Sequence, residues 1–276
     1  MTHSSPHSPH DQEMPFVQHL LELRDRLLKM LVTVAGFLLV LMPFANSLFS
    51  VLAQPLQRFL PEGTQMIAIE ITTPFLTPFK FTMVVSIFLA MPVILYHLWA
   101  FIAPGLYQQE KKLIFPLLIS STVLFYLGML FAYYIVFPVI FKFMVGMTPE
   151  GVSMMTDIDK YLDFVLKMLF AFGLSFQVPV AILVFVWMDF ITPDALAEKR
   201  PYIIVIAFVI GMLMTPPDVI SQTLLAVPMW LLFELGLLVA RIVHKKAEMD
   251  NQEAQAGYPV VREQTDQLTD RDVDKK

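Results

Sequence analysis

The sequence predicts an all-α polytopic membrane protein with six transmembrane helices, and three observations predict it. First, 57% of the residues are hydrophobic, with 24 Phe and 18 Met, and the mean hydropathy is +0.65. Soluble domains average about 45–50% apolar, and a water-soluble fold of this size has no place to hide the excess. Second, the apolar residues form continuous runs that suit helices crossing about 30 Å of hydrocarbon, not the alternating ten-residue segments of a membrane β-barrel. Third, Lys and Arg lie mostly on one side of those runs, as the positive-inside bias requires.

Six runs qualify as candidate spans: residues 27–49, 74–102, 113–144, 161–188, 202–214 and 223–240. The second and third exceed the minimum of about 20 residues and are expected to tilt or kink, with Pro92 and Pro138 as kink sites. The fifth is too short to cross upright. It is ended by Pro216 and Pro217, which remove helix donors and clash with the preceding turn. Residues 215–222 therefore read as a tight turn between two short final helices, whose length implies local bilayer thinning. Arg24, Arg26, Lys29, Lys111, Lys112, Lys199, Arg200, Arg241, Lys245 and Lys246 fall on one side; Arg58, Lys142 and Lys160 fall on the other. Both termini are thus expected in the cytoplasm, with loops 50–73, 145–160 and 215–222 outside. Asn46–Phe59 carries a helical apolar stripe, Gln65–Ile71 alternates like a short strand, and residues 148–160 hold Glu150, Asp157 and Asp159. Together these outer loops are expected to build a structured cap.

Two polar tails flank residues 15–246. Residues 1–14 and 247–276 are expected to be disordered, and the second tail carries eight acids against four bases, which accounts for most of the net charge of −5. His3, His7 and His10 lack a regular ligand spacing and read as a solvated tail. No metal site, cofactor or nucleic-acid partner is expected. There is no cysteine, so thiol catalysis and disulfides are excluded. No short apolar core with a small-residue cleavage site opens the chain, so no cleavable signal peptide is expected. No phosphate loop, zinc-protease motif or nucleophile elbow occurs, and no catalytic residue is assigned.

Polar groups within spans are costly and mark candidate sites. Lys80 and Lys167 lie near span ends and are expected to snorkel outward. His97, two residues from Trp99, fits the interface. Gln177 lies mid-span and needs hydrogen-bond partners, either as helix–helix glue or as a functional polar site. Asp218 follows the proline pair and suits either a helix cap or a carboxylate at the edge of a thinned membrane. Phe16–Met30 is an amphipathic helix leading into the first span. It carries Glu22–Arg26 and Asp25–Lys29 at i,i+4 spacing, where local salt bridges are expected. Phe101–Lys112 is a Pro-Gly turn with Glu110. Acids on a cytoplasmic face run against the positive-inside bias, and a pair of them suits an arginine-rich ligand. The competing reading is a six-span secondary transporter, which would need a midplane site with broken helices.

The segments HLLELRDRL (19–27), PFLTPFK (74–80), PVILYHLWAFIAPGLYQQEKK (92–112), SSTVLFYLGMLFAYYIVFP (120–138), FQVPVA (176–181), KRPYIIV (199–205) and GMLMTPPDVISQTLLAVP (211–228) strongly resemble the TatC family. That family supplies the multispanning receptor subunit of the twin-arginine protein translocase. The resemblance covers roughly residues 15–245 and leaves out only the tails.

The resemblance implies a receptor in the bacterial inner membrane that binds twin-arginine signal peptides of folded proteins. It also implies assembly with TatA- and TatB-like single-span partners, self-association in a receptor complex, and export driven by the proton gradient. Glu22 and Glu110 resemble the acids that receive the arginine pair, Arg24 a residue that shapes that surface, and Phe101 part of the same region. Pro55 resembles a sensitive outer-loop proline. Met212, Thr215 and Gln222 resemble the place where a partner helix docks, and Asp218 the acid after the double proline. Gln177 departs from the pattern, since many members carry Glu there. An amide hydrogen-bonds but does not titrate.

Overall fold

The computed structural model describes residues 10–50, 66–102, 114–149, 155–188, 190–214 and 219–256. The helices are α1 (His10–Leu41), α2 (Thr73–Ile102), α3 (Ile114–Phe131), α4 (Phe137–Gly146), α5 (Ile158–Ser175), α6 (Val178–Trp187), α7 (Pro193–Glu198), α8 (Arg200–Met214) and α9 (Val219–Ala256). A 3₁₀ turn at Met42–Phe44, started by Pro43, follows α1, and the chain is helical again over 45–50. Among the described residues, five helical stretches are long and apolar enough to cross a membrane: Val17–Ser50, Thr73–Ile102, Phe115–Gly146, Ile158–Trp187 and Gln222–Lys245. The apolar helix Arg200–Met214 is shorter, with 15 residues.

The helices α1 and α2 run antiparallel. Phe49 meets Phe81 at one end of the α1–α2 pair, and His19 meets Phe101 at the other. The core lies where α2, α3 and α5 meet, and it is aromatic: Phe88, Phe125, Phe137 and Phe172 are buried there. Close approach depends on reciprocal glycines. A methyl group at Gly128 would sit 2.5 Å from the Phe172 carbonyl oxygen, and one at Gly173 would sit 2.6 Å from the Phe125 ring. Small residues let membrane helices pack backbone to side chain, which matters where lipid removes the hydrophobic drive for association. On the other side, α9 buries Phe233, Leu237 and Ala240 in a cluster with Ile182 and Val186 of α6.

Proline shapes each long span differently. Pro92 sits inside an unbroken α2 and denies the Phe88 carbonyl its helical donor. The Tyr126 hydroxyl of α3 donates to that carbonyl at 2.9 Å, so the freed acceptor becomes an interhelix link. Pro138 lies just beyond a π-helical turn, Ala132–Val136, where the Phe137 N–H reaches back five residues to Ala132. The wider turn accommodates the missing donor. Pro179 follows a break in the fourth span: residues 161–188, expected as one helix, are α5 and α6 hinged at Phe176–Gln177.

The last helix differs from expectation. It is not short, because Arg241 and Lys245 end the apolar run without ending the helix, and no breaker follows them. Its continuation through residues 247–256, where an irregular tail was expected, draws on helix-forming Ala, Glu, Met and Gln. Only α8 is left to argue for a thinned bilayer. The strand-like segment near Gln65 does pair: Met66–Ile67 lies parallel to Thr156–Asp157, which ties two loops together. Asp157 then caps α5, accepting from the Asp159 N–H at 3.3 Å.

Candidate functional site

The acid-bearing face of α1 meets the Ile102 end of α2. The contact is a ring stack, with His19 and Phe101 at 4.3 Å between centroids and 16° between planes. One turn along α1, Glu22 accepts from Arg26. Both guanidinium contacts, the Nε at 3.0 Å and the Nη2 at 2.5 Å, fall on the same oxygen, Oε1. The second oxygen, Oε2, carries no hydrogen bond among the described residues, and the Glu22 side chain is 37% exposed. Arg24 donates to Asp25 at 2.8 Å through Nη2, and both side chains are exposed. Asp25 therefore pairs with its immediate neighbour and not with Lys29, because Arg24 reaches it without crossing a helix turn. The result is a polar strip with one saturated and one open carboxylate oxygen, a geometry that can accept a guanidinium donor from outside.

Gln177 serves as glue between helices. It stands at the α5–α6 hinge, and its Nε2 donates to the Ser121 carbonyl of α3 at 2.9 Å. Ser121 in turn accepts from the Trp99 indole N–H of α2 at 2.8 Å through its hydroxyl. One buried serine thus links three spans. The Gln177 Oε1 is buried and has no partner among the described residues, so there this amide is only half satisfied.

At the other end of α2, Lys80 does not snorkel to water. Its ammonium donates to Asp163 at 2.6 Å and to Asp159 at 3.1 Å, both on α5. The carboxylates stand near enough to Lys80 to outcompete the interface. Lys167 is exposed on α5, and no partner for its ammonium occurs among the described residues.

Where α8 and α9 meet, a methyl group at Gly211 would lie 3.3 Å from the Gln222 carbonyl oxygen. Met212 beside it is exposed, and Gln222 is half-buried. The structure thus brings Glu22, Arg24 and Phe101 to one end of the α1–α2 pair, and Met212 and Gln222 to the facing ends of α8 and α9. Pro55, Glu110, Thr215 and Asp218, with the tail histidines His3 and His7, lie outside the described residues. Two assemblies escaped sequence reasoning. The Lys80–Asp159–Asp163 triad joins residues 79 and 83 apart in sequence, a separation no local pattern signals. The Arg200–Glu234 pair, bonded twice at 2.6 and 2.8 Å, had only the place of Glu234 inside the last apolar run to suggest it.

Known proteins have a similar sequence and fold. Residues 18–228 match the family described as Sec-independent protein translocase protein (TatC). The Sec-independent protein translocase protein TatC of Azotobacter chroococcum is 54% identical over 237 residues, 86% of this chain and 93% of that protein. The Haemophilus influenzae protein of the same name is 56% identical over 236 residues, with coverage of 86% and 92%. A crystal structure of a twin-arginine translocase receptor, TatC, superposes with a TM-score of 0.74 at 39% identity, covering 81% of this chain and 98% of that one. These likenesses set aside the small-solute transporter reading, and the chain belongs to the TatC family of Sec-independent protein translocase proteins.

Proposed function

We propose that this chain is the receptor subunit of a twin-arginine translocase and binds the twin-arginine signal peptides of folded precursor proteins at the α1–α2 end. The observation that carries this reading is Glu22: half exposed, tethered to Arg26 through one oxygen, and open at the other. An incoming guanidinium can bond Oε2 without first breaking the resident pair. The His19–Phe101 stack beside it anchors α1 against α2 and keeps that carboxylate in place. Arg24 holds Asp25 out of competition. Glu110, by its likeness to the family's second acid, receives the other arginine.

The rest of the assembly follows the family. The chain spans the bacterial inner membrane six times with both termini in the cytoplasm, and the paired loops around Met66 and Thr156 form its outer cap. TatA- and TatB-like single-span helices dock along Met212, Thr215 and Gln222. The complex self-associates and uses the proton gradient. Pro55 and Asp218 act in the outer loops, and the half-satisfied Gln177 offers a polar contact within the membrane.

The test is photocrosslinking of the purified protein to a twin-arginine signal peptide and to its Lys-Lys variant. Lysine cannot reproduce the planar fork of a guanidinium, so labelling should fall by about tenfold or more, as one lost charge-assisted contact implies. Glu22→Ala combined with Glu110→Ala should abolish labelling while the protein still inserts and folds. Equal labelling of both peptides would sink the reading.

A further inference from the structure

A groove of about 570 Å³ lies between α8 and α9, at the Arg200 end of α8. Its floor is one face of α9. Leu231, Leu235, Leu238 and Ile242 recur at helical spacing and are 53%, 53%, 55% and 61% exposed. The opposite face of the same helix is spent on α6, where Phe233 and Leu237 are buried. Two guanidinium groups stand over this floor. Arg200 is committed to Glu234, using Nε and Nη2 on the two carboxylate oxygens at 2.6 and 2.8 Å, so the acid in the groove is neutralised. Arg241, two turns along α9, has among the described residues only a 3.3 Å contact with Asp194, whose side chain is 92% exposed. A pair that open to water holds its arginine weakly. The lining therefore keeps a positive charge of one: Arg200 and Arg241 against Glu234.

We propose that this groove is a binding site for one anionic phospholipid, with the phosphate on Arg241 and an acyl chain along Leu231, Leu235 and Leu238. The charge and the height both select this occupant. Arg241 lies near the end of the apolar stretch Gln222–Lys245, where headgroups meet the helix, and Lys245 follows one turn later. Apolar walls topped by a weakly held guanidinium complement a chain topped by a phosphate, and basic hollows between membrane helices take anionic headgroups for this reason. A zwitterionic lipid brings the same chain but no net charge. Only the assignment to the cytoplasmic leaflet rests on the topology proposed above; the site itself does not depend on the receptor reading.

The full-length protein in detergent, titrated with phosphatidylglycerol and with phosphatidylcholine and read by native mass spectrometry, tests this. Phosphatidylglycerol should be retained as a single molecule and preferred at least fivefold. Arg241→Gln should lower its affinity about fivefold, the worth of one basic residue at a charged surface, whereas Arg241→Lys should keep most of it. Unchanged affinity in Arg241→Gln, or equal binding of the two lipids by the wild type, overturns the proposal. A photoreactive residue at Leu238 in native membranes should label lipid; labelling of protein alone would mean that a partner helix fills the groove and would equally overturn it. Signal-peptide crosslinking of the same Arg241→Gln protein reports separately on the receptor reading.

Discussion

The two ends of the α1–α2 pair carry opposite kinds of ion pair. At the Thr73 end, Lys80 reaches across to Asp159 and Asp163 of α5, and the three side chains are 37%, 28% and 31% exposed. At the Ile102 end, Glu22 pairs with Arg26 of its own helix and Arg24 with its sequence neighbour Asp25. The first arrangement joins two spans and satisfies its lysine from two sides. The second joins nothing that the helix had not already joined. Exposure does not separate Lys80 from the Glu22–Arg26 pair, whose side chains are 37% and 21% exposed, but connectivity does. A lysine held by two acids of another span resists exchange, whereas a pair within one helical turn fastens no second element and contributes little to stability. The fold thus has a fastened end and an open end, and the open end is where a charged ligand can bind.

Breaking the fastened end should give the larger effect. Lys80→Met leaves two carboxylates side by side without their cation, and should lower unfolding stability by ~2 kcal/mol, a buried-pair loss discounted for exposure. Thermal or denaturant unfolding in detergent measures it. Twin-arginine peptide crosslinking should be unchanged; loss of both together would mean the two ends are not independent. Restoring charge balance with Asp159→Asn and Asp163→Asn in the same chain should recover most of the stability.

Tyr126→Phe sits between the ends and sharpens the scale. It removes the hydroxyl that donates to the Phe88 carbonyl freed by Pro92. An orphaned carbonyl inside the bundle should cost about 1 kcal/mol, and adding Pro92→Ala, which restores the helical donor, should remove that cost. A Tyr126→Phe protein as stable as the wild type would show that the carbonyl finds another donor.

The smallest stability effect belongs to the open end. Glu22→Gln should change stability by less than about 0.5 kcal/mol, the usual worth of an i,i+4 helix pair, yet it should weaken twin-arginine peptide binding. A stability loss as large as that of Lys80→Met would erase the distinction between the two ends.

Much of this was legible from residue order because membrane spans are local objects. A hydrophobic run, a proline and a charged flank act over one or two helical turns, so the runs 74–102, 113–144, 161–188 and 202–214 came out within a few residues of the observed helical stretches. The first stretch, by contrast, starts about ten residues earlier than expected, and the last helix runs well past 240. Glu22 was legible as a candidate because it is an acid on a cytoplasmic amphipathic helix, whereas Arg24 and Phe101 became candidates only through the resemblance to the TatC family. The hinge at Gln177 was less so: Pro179 announced it, but apolar residues continue on both sides, and hydropathy does not register a break in hydrogen bonding. The length of α9 was misjudged because the end of an apolar run is not the end of a helix.

Sequence alone determined that the chain is helical and membrane-spanning, because periodicity and run length are properties of neighbouring residues, and its motifs carried the likeness to TatC proteins. The tertiary structure alone decided which polar groups are spent and which are open. Lys80 is taken by acids some 80 residues away, Ser121 gathers Trp99 and Gln177, and Glu234 is closed by Arg200. Among the described residues, Glu22 keeps one oxygen free and Arg241 is held only by an exposed acid. A polar side chain in a bilayer has its partner chosen by the packing of distant helices, and that choice exists only once the chain has folded.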